Sequence, residues 1–286
     1  MSERDVPRGD LSERELAEAV EGSLYDLFRS MAALPGAELE ELGSHARHHA
    51  FPSNPMFKGV WAPKVSESEL DDVVADSLRW QRERGAPYVF WWAGLDVDHD
   101  ELGAALERHG FAPTDPDAPG QVAELAALDW SALETVPDGF RIEPVADDAS
   151  LEAWGATFVE GFGVPAWAGQ AWVDATRAFG VGRSPWELYV GWLDGRPVAT
   201  TMMFYGAGVA TAFGIATVPD LRGRGLGAAI TLAGFADART RGSRFGVLFA
   251  TELGAPVYRR LGFRDTGGTI SRWLWIDGGD RLFPER

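Results

Sequence analysis

Between Arg222 and Ala228 the chain reads Arg-Gly-Arg-Gly-Leu-Gly-Ala, a pattern suited to holding a diphosphate. Gly223, Gly225 and Gly227 remove the side chains that would keep a ligand off the backbone. Thr211 to Val218, just ahead, is apolar or small and strand-forming, and Pro219 stops it. From Ala228 onward Ile230, Leu232, Ala233, Phe235 and Ala236 crowd one side of a helix. A helix start leaves N–H groups without partners and carries the positive end of the helix dipole. Arg222 and Arg224 add fixed positive charge. On physical grounds the stretch is a pyrophosphate cradle. A Gly-rich turn that binds nothing has no need of arginines between its glycines. Gly223-x-Gly225-x-x-Ala228 also satisfies a dinucleotide-binding pattern, but that pattern needs its first glycine at the strand end. Here several residues intervene, and the preceding strands are joined by hairpins rather than helices.

Other residues invite chemistry less strongly. His45, His48 and His49 would share one face of a helix and could bind a metal. No carboxylate stands at a matching step, so solvent-facing histidines are the simpler reading. Asp96, Asp98, Asp100 and Glu107 copy part of a calcium loop, yet Glu101 stands where that loop needs glycine. Capping of a helix by Asp100 explains the stretch. No metal is expected.

The composition narrows the possibilities. The chain has 286 residues, enough for two ordinary domains, with 45% hydrophobic and 24% charged residues. There is no cysteine, which removes disulfides, thiolate nucleophiles and Cys-ligated zinc and fits a cytoplasmic location. The charged N-terminus lacks the apolar core of a signal peptide. No apolar run approaches a membrane span. A net charge of −17 argues against nucleic acid as a partner.

Elements that would position the cradle can be read along the chain. Ser12 to Glu15 is a capping box, and Leu16, Val20, Leu24, Leu27, Phe28 and Met31 continue at helical spacing to about Ala33. A shorter helix is expected over Ala37 to Arg47, then strand pieces near His49–Phe51 and Phe57–Trp61. Ser66 caps a helix to Arg84. Tyr88–Trp92 is a strand, a helix holds Leu102 and Leu106, and Gln121–Leu128 is a strand. Asp129 to Gly139 is the expected boundary. Phe140–Val145 is a strand, and Asp147 or Asp148 caps a helix through Trp154 and Phe158. Gly161 to Gly182 is expected as a loop with a short helix, a place for substrate contacts. Trp186–Leu193, Arg196–Tyr205 and Val209–Val218 form an antiparallel meander, with Asp194-Gly195 as a hairpin turn. Phe245–Thr251 is a further strand, Gly254–Phe263 a short helix ended by Gly262, and Ile270–Ile276 closes the sheet.

Arg222-x-x-Gly225-x-Gly227 after a strand, followed by a helix, a strand and Tyr258-x-x-Leu261-Gly262-Phe263, resembles the GNAT acyltransferase superfamily. The likeness runs from Phe140 to Ile276. The N-terminal half resembles the family more faintly: Leu102 to Phe111 parallels Val257 to Phe263, but no Gly-rich cradle precedes Ser66–Arg84 and no tyrosine stands at Ala105 or Leu106. The reading is therefore a tandem of mixed, mostly antiparallel sheets flanked by helices, an α+β fold. A degenerate copy would span 1–130 and a competent one 138–286.

The resemblance implies acetyl-CoA as cosubstrate, with amides from Gly223 through Leu226 and Gly227 to Ala228 on the diphosphate. It places the pantetheine arm along Ala216, Thr217 and Val218, where that strand splays from Phe245–Thr251. It makes the Val218 N–H the oxyanion donor and Tyr258 the acid that protonates the leaving sulfur; a core-packed tyrosine is the alternative. No histidine lies beyond His109, so the base is a carboxylate, a water chain or a residue lent by the first half; Glu252 is one candidate, with Glu160 and Asp174 weaker ones. The expected activity is N-acetylation of a small-molecule primary amine by a monomer or homodimer. The alternatives are a non-catalytic acyl-CoA-binding module and a protein-amine acetylase.

Overall fold

The computed structural model describes residues 11–51, 57–61, 65–95, 97–114 and 118–279. In chain order the first half holds helix α1 (Glu13–Ser30), strands β1 (Glu38–Glu41), β2 (Ala46–His49) and β3 (Lys58–Trp61), helix α2 (Glu67–Glu83), β4 (Tyr88–Ala93), α3 (His99–Arg108), β5 (Ala112–Pro113) and β6 (Ala118–Glu124). The second half holds β7 (Phe140–Pro144), α4 (Asp148–Phe162), α5 (Ala166–Phe179), β8 (Trp186–Leu193), β9 (Arg196–Gly206), β10 (Val209–Thr217), α6 (Leu226–Thr240), β11 (Phe245–Phe249), α7 (Ala255–Leu261) and β12 (Arg264–Ile276).

These elements form two compact units, each drawn from two pieces of chain: Met1–Leu27 with Pro119–Gly267, and Phe28–Ala118 with Gly268–Arg286. Each is a mixed sheet with helices, the expected α+β class. Strand β6, from the first half, pairs antiparallel with β11. The later part of β12 pairs with β4 from Ser271 to Ile276, so Ile270–Ile276 closes the sheet of the first half's strands. The compact units are thus composed differently from the sequential halves 1–130 and 138–286. Asp129–Gly139 is also more than a linker, because Trp130, Ala132 and Leu133 pack against the core beneath α6.

In the first unit the strands run β6-β11-β10-β9-β8-β7. Neighbours from β10 to β7 are antiparallel, and β10 and β11 are parallel. A parallel pair needs a crossover, and α6 supplies it. Asp194 (φ 50°) and Gly195 (φ 84°) make the β8–β9 turn in the left-handed geometry that suits a tight hairpin. One face of the sheet buries Met203, Ala210, Ala212 and Leu248 with Leu232 and Phe235 of α6 and Tyr258 and Leu261 of α7. On the other face α1 buries Leu16 and Val20 against Val122, Val209, Phe245 and Val247. The N-terminus of α1 is closed by the expected box: Ser12 N–H and Oγ–H donate to Glu15 at 2.8 and 2.7 Å.

In the second unit the order is β1-β2-β3-β4-β12, and β3 pairs parallel with β4 across α2. The helix expected over Ala37–Arg47 is instead the β1–β2 hairpin. Gly43 turns it at φ 79°, and pairing of β2 with β3 overrides local preference. The histidines there are buried rather than solvent-facing, His48 and His49 on β2 and His45 just ahead of it. His45 bonds Ser44 and Ser77, and His49 bonds Gln81. His48 lies against the rings of Phe28 and Trp61, and burial drives its pKa down to about 3. The cap of α3 is Asp98, which accepts from the Asp100 and Glu101 amides, and not Asp100. Asp96 lies outside the described residues. Among the described residues no group of three or more His, Asp or Glu could hold a metal ion, and no helix is long and apolar enough to cross a membrane.

Residues 161–182, expected as a loop with a short helix, carry the 14-residue helix α5. It packs on α4 through glycines: a Cβ on Gly169 would lie 2.6 Å from both the Gly155 carbonyl oxygen and Val159 Cγ2. Close approach of this kind admits no larger residue without moving one helix. Gly169→Ala should therefore lower stability by about 1–3 kcal/mol, read as a lower urea midpoint followed by tryptophan fluorescence. An unchanged midpoint would contradict the α4–α5 spacing.

Candidate active site

Strand β10 carries the site, and it is irregular where it matters. Phe213 opposes Met202 and Ala216 opposes Thr200, so Gly214 and Ile215 together face the single Thr201. This is a β-bulge, with Gly214 at φ 57°. Side chains fill what the ladder drops: Thr200 Oγ–H donates to the Gly214 carbonyl at 2.8 Å, and the Trp154 indole donates to the Thr201 carbonyl at 3.1 Å. One extra residue reverses the side-chain alternation. Ala210 and Ala212 lie in the α6 core before the bulge, and Ile215 packs there after it. Ala216 is turned to α4, where a Cβ on Gly161 would come within 2.6 Å of it. Thr217 is brought to α6, its Oγ1 lying 3.3 Å from where a Gly227 Cβ would be.

The parallel neighbours part at the same level. β10 pairs with β11 only at Ala210–Gly246, Thr211–Val247 and Ala212–Leu248. Beyond these, β10 runs on to Thr217 with no strand partner on that side among the described residues, while β11 ends at Phe249. Phe213 and Phe249 stack at the parting, with centroids 5.9 Å apart.

After β10, Val218, Leu221 and Leu226 cluster with Val198 and pin the turn. Arg222 closes it from outside, donating from Nε to the Thr217 carbonyl at 3.2 Å and from Nη2 to the Gly161 carbonyl at 2.6 Å. It is a staple between β10 and α4, and its charge stays beside the loop. Gly223 (φ 77°) and Gly225 (φ 81°) adopt left-handed geometry, and a Cβ on either would meet nothing within 4 Å. Conformation and open space above the backbone, rather than crowding, account for glycine at both. Gly225 is the N-cap of α6 and supplies no side chain to the first-turn amides. Leu226, Gly227 and Ala228 therefore open the helix uncapped. Arg224 is exposed and makes no hydrogen bond among the described residues; its charge helps hold the Asp220 carboxyl below its ordinary pKa, behind the larger effect of the Arg196 hydrogen bond.

The Val218 N–H donates to the Val198 carbonyl at 3.0 Å. An amide engaged in this way is not free for a substrate oxygen. The ladder break at Gly214–Ile215 was missed by sequence reasoning, and its available signal was a glycine inside a strand.

Tyr258 sits on α7, which Gly262 ends at φ 107°. It is 7% exposed, with its ring edge-on to Phe263 at 6.2 Å. Its hydroxyl lies 3.2 Å from where a Gly254 Cβ would be, so glycine leaves the phenol its room. That hydroxyl makes no hydrogen bond among the described residues. Burial raises its pKa above the ordinary tyrosine value.

The candidate bases differ in their surroundings. Glu160 accepts from Arg196 at 3.0 Å, and Arg196 also holds Asp220 at 2.7 Å. Asp174 accepts from Gln170 at 2.8 Å and pairs with Arg177. Glu252, in the turn after β11, is exposed and has no partner among the described residues.

Residues 131–251 match the family model described as "Acetyltransferase (GNAT) domain". The matched span holds the bulge, the parting and the cradle and stops short of Tyr258. Among solved structures, a GCN5-related N-acetyltransferase from Kribbella flavida is 18% identical with a TM-score of 0.66, covering 90% of this chain and 94% of its own. A GCN5-related N-acetyltransferase from Sphaerobacter thermophilus is 17% identical with a TM-score of 0.59, covering 99% and 98%. A tandem GNAT protein from the clavulanic acid biosynthesis pathway is 16% identical with a TM-score of 0.57, covering 94% and 96%. At such identities the likeness speaks to fold. No curated protein matches this sequence. Residues 131–251 thus match the GNAT acetyltransferase domain model, and nearly the whole chain shares the fold of these solved structures.

Proposed function

We propose that this domain transfers an acetyl group from acetyl-CoA to the primary amine of a small molecule by direct attack. The observation that carries the reading is the parting of β10 from β11 immediately ahead of uncapped amides at the start of α6. An extended arm can pair with a strand edge that has lost its neighbour, and a diphosphate suits open first-turn amides. The amides from Gly223 to Ala228 hold the diphosphate, with Arg224 as a nearby charge and Arg222 fixing the loop. Ala216, Thr217 and Val218 line the arm.

In the reaction the amine nitrogen bonds to the thioester carbon, the carbon–sulfur bond breaks, the nitrogen gives up a proton and the sulfur gains one. With the Val218 amide engaged by Val198, the oxyanion donor falls to another fixed backbone N–H along the open edge of β10. Tyr258 supplies the proton to sulfur. Its hydroxyl has no competing acceptor among the described residues, and burial keeps it neutral. Glu252 is the base, directly or through water.

The N-terminal half is a second copy that has lost the cradle. In support, β3–α2–β4 repeats the strand–helix–parallel strand order of β10–α6–β11. Where α6 begins at an open glycine, α2 begins at Ser66, whose hydroxyl bonds Glu69 at 2.5 Å.

Replacing Tyr258 by Phe should lower kcat by about 10²-fold or more and leave the acetyl-CoA KM unchanged in a thiol-release assay. An unchanged kcat with tight CoA binding would favour a binding module. A phenol whose folded pKa is raised stays protonated below its ordinary pKa near 10. The wild-type rate should therefore show no alkaline loss from this group below about pH 10, and a Tyr258-dependent loss near pH 8 would contradict the assignment. Gly225→Ala should weaken CoA binding about tenfold, because left-handed geometry costs a non-glycine residue about 1–2 kcal/mol. Calorimetric titration measures it, and equal affinity would remove the cradle from the argument.

A further inference from the structure

The bulge leaves an aromatic surface on the sheet face away from α6. Ala212 points into the α6 core, so alternation puts Phe213 on the opposite face. Phe249 is on that same face, packed against the cluster under α1. The last turns of α4 add a run of rings: Trp154 stacks on Phe158 at 5.2 Å, and Phe158 meets Phe162 at 4.8 Å. These rings reach the bulge itself, since a Cβ on Gly214 would lie 3.3 Å from Trp154 and 3.5 Å from Phe158. Phe158, Phe162, Phe213 and Phe249 are all only partly buried. Partly open rings grouped at one place are surface that a flat apolar partner covers favourably.

Among the described residues, most carboxylates on α4, α5 and the turn after β10 are already engaged, and Glu252 beyond Phe249 is a single exception. Arg196 holds Glu160 and Asp220, and Arg177 holds Asp148, Glu152 and Asp174. A polycationic acceptor would need free carboxylates at several points along its length. An apolar wall also disfavours an ammonium by desolvation and so shifts an amine toward its neutral, attacking form. That effect matters in a half with no histidine.

Resting on the acetyltransferase reading above, we infer that the acceptor is a primary amine carried on an aromatic body, seated on Phe213, Phe249 and Phe158 beside the bulge. Polyamines, aminoglycosides and lysine-rich tails lack the flat apolar part this surface recognises.

The test measures acetyl-CoA turnover with 2-phenylethylamine, spermidine and a lysine-rich peptide, alongside calorimetric binding of CoA to the same samples. The aromatic amine should have a kcat/KM at least about tenfold above the others. Phe213→Ala should raise its KM by about tenfold with CoA affinity unchanged. Phe249→Leu, which keeps apolar volume and removes only the ring, should do the same and serves if the alanine variant folds poorly. If CoA binds and spermidine or the peptide is the better substrate, or if both variants leave KM unchanged, the acceptor inference is overturned alone; if CoA binds and no amine is acetylated, the acetyltransferase reading yields to a binding module and the inference falls with it. If CoA does not bind, the acetyltransferase reading falls with it.

Discussion

Beyond Ala212 and Leu248 the parallel pair β10–β11 has no further rungs, and the rest of the site follows from that loss. A parallel pair joined by a helix should zip along its length, because unpaired backbone groups in a sheet are costly. Here the extra residue at Gly214–Ile215 bends and twists β10. Its freed polar groups are met locally: Thr200 and Trp154 take the Gly214 and Thr201 carbonyls. The strand edge from Phe213 to Thr217 therefore stays open without leaving those carbonyls orphaned. The reversed alternation also brings Thr217 to α6 and Ala216 to Gly161, so a single insertion sets both sides of the site.

Fixed geometry around that opening comes from short connections. Arg222 ties the end of β10 to the end of α4 through two carbonyls, spending its donors on position rather than on a ligand. Val198, Val218, Leu221 and Leu226 bury the base of the turn, while Gly223 and Gly225 lift bare backbone above it. Tyr258 is held by the same core that seats α6, since Phe235, Leu261 and Phe263 share its cluster. Tyr258 and the helix that opens after Gly225 thus belong to one packed body.

Much of this was legible in the sequence. The glycines and arginines at 222–227, the Asp194-Gly195 hairpin, the Ser12–Glu15 box and the Gly262 stop each have a local physical cause, and the structure has these local features. What was illegible depended on partners distant in sequence. The 37–47 segment has no strong helical stripe and becomes a hairpin because β3 is there to pair with it. His45, His48 and His49 look polar in isolation but are buried by serines, a glutamine and aromatic rings. Asp98 and Asp100 are equivalent as residue types, and only the backbone selects Asp98 as the cap. The bulge showed itself as a lone glycine, and the engagement of Val218 N–H by Val198 could not be seen until β9 was laid beside β10. The strand expected over Gln121–Leu128 runs instead from Ala118 to Glu124, with a 3-10 turn over Leu125–Ala127; Ile270–Ile276 is strand as expected, but strand character does not name the sheet that takes either.

The most direct test of the open edge and bare amides is to compare coenzyme A with pantetheine, which keeps the thiol arm and lacks the diphosphate, by calorimetric titration of the full chain. The account predicts clear binding of coenzyme A and affinity for pantetheine weaker by about 10²-fold or more, since charge-assisted bonds to several amides are lost together. Equal affinity for the two, or no uptake of coenzyme A, would contradict it.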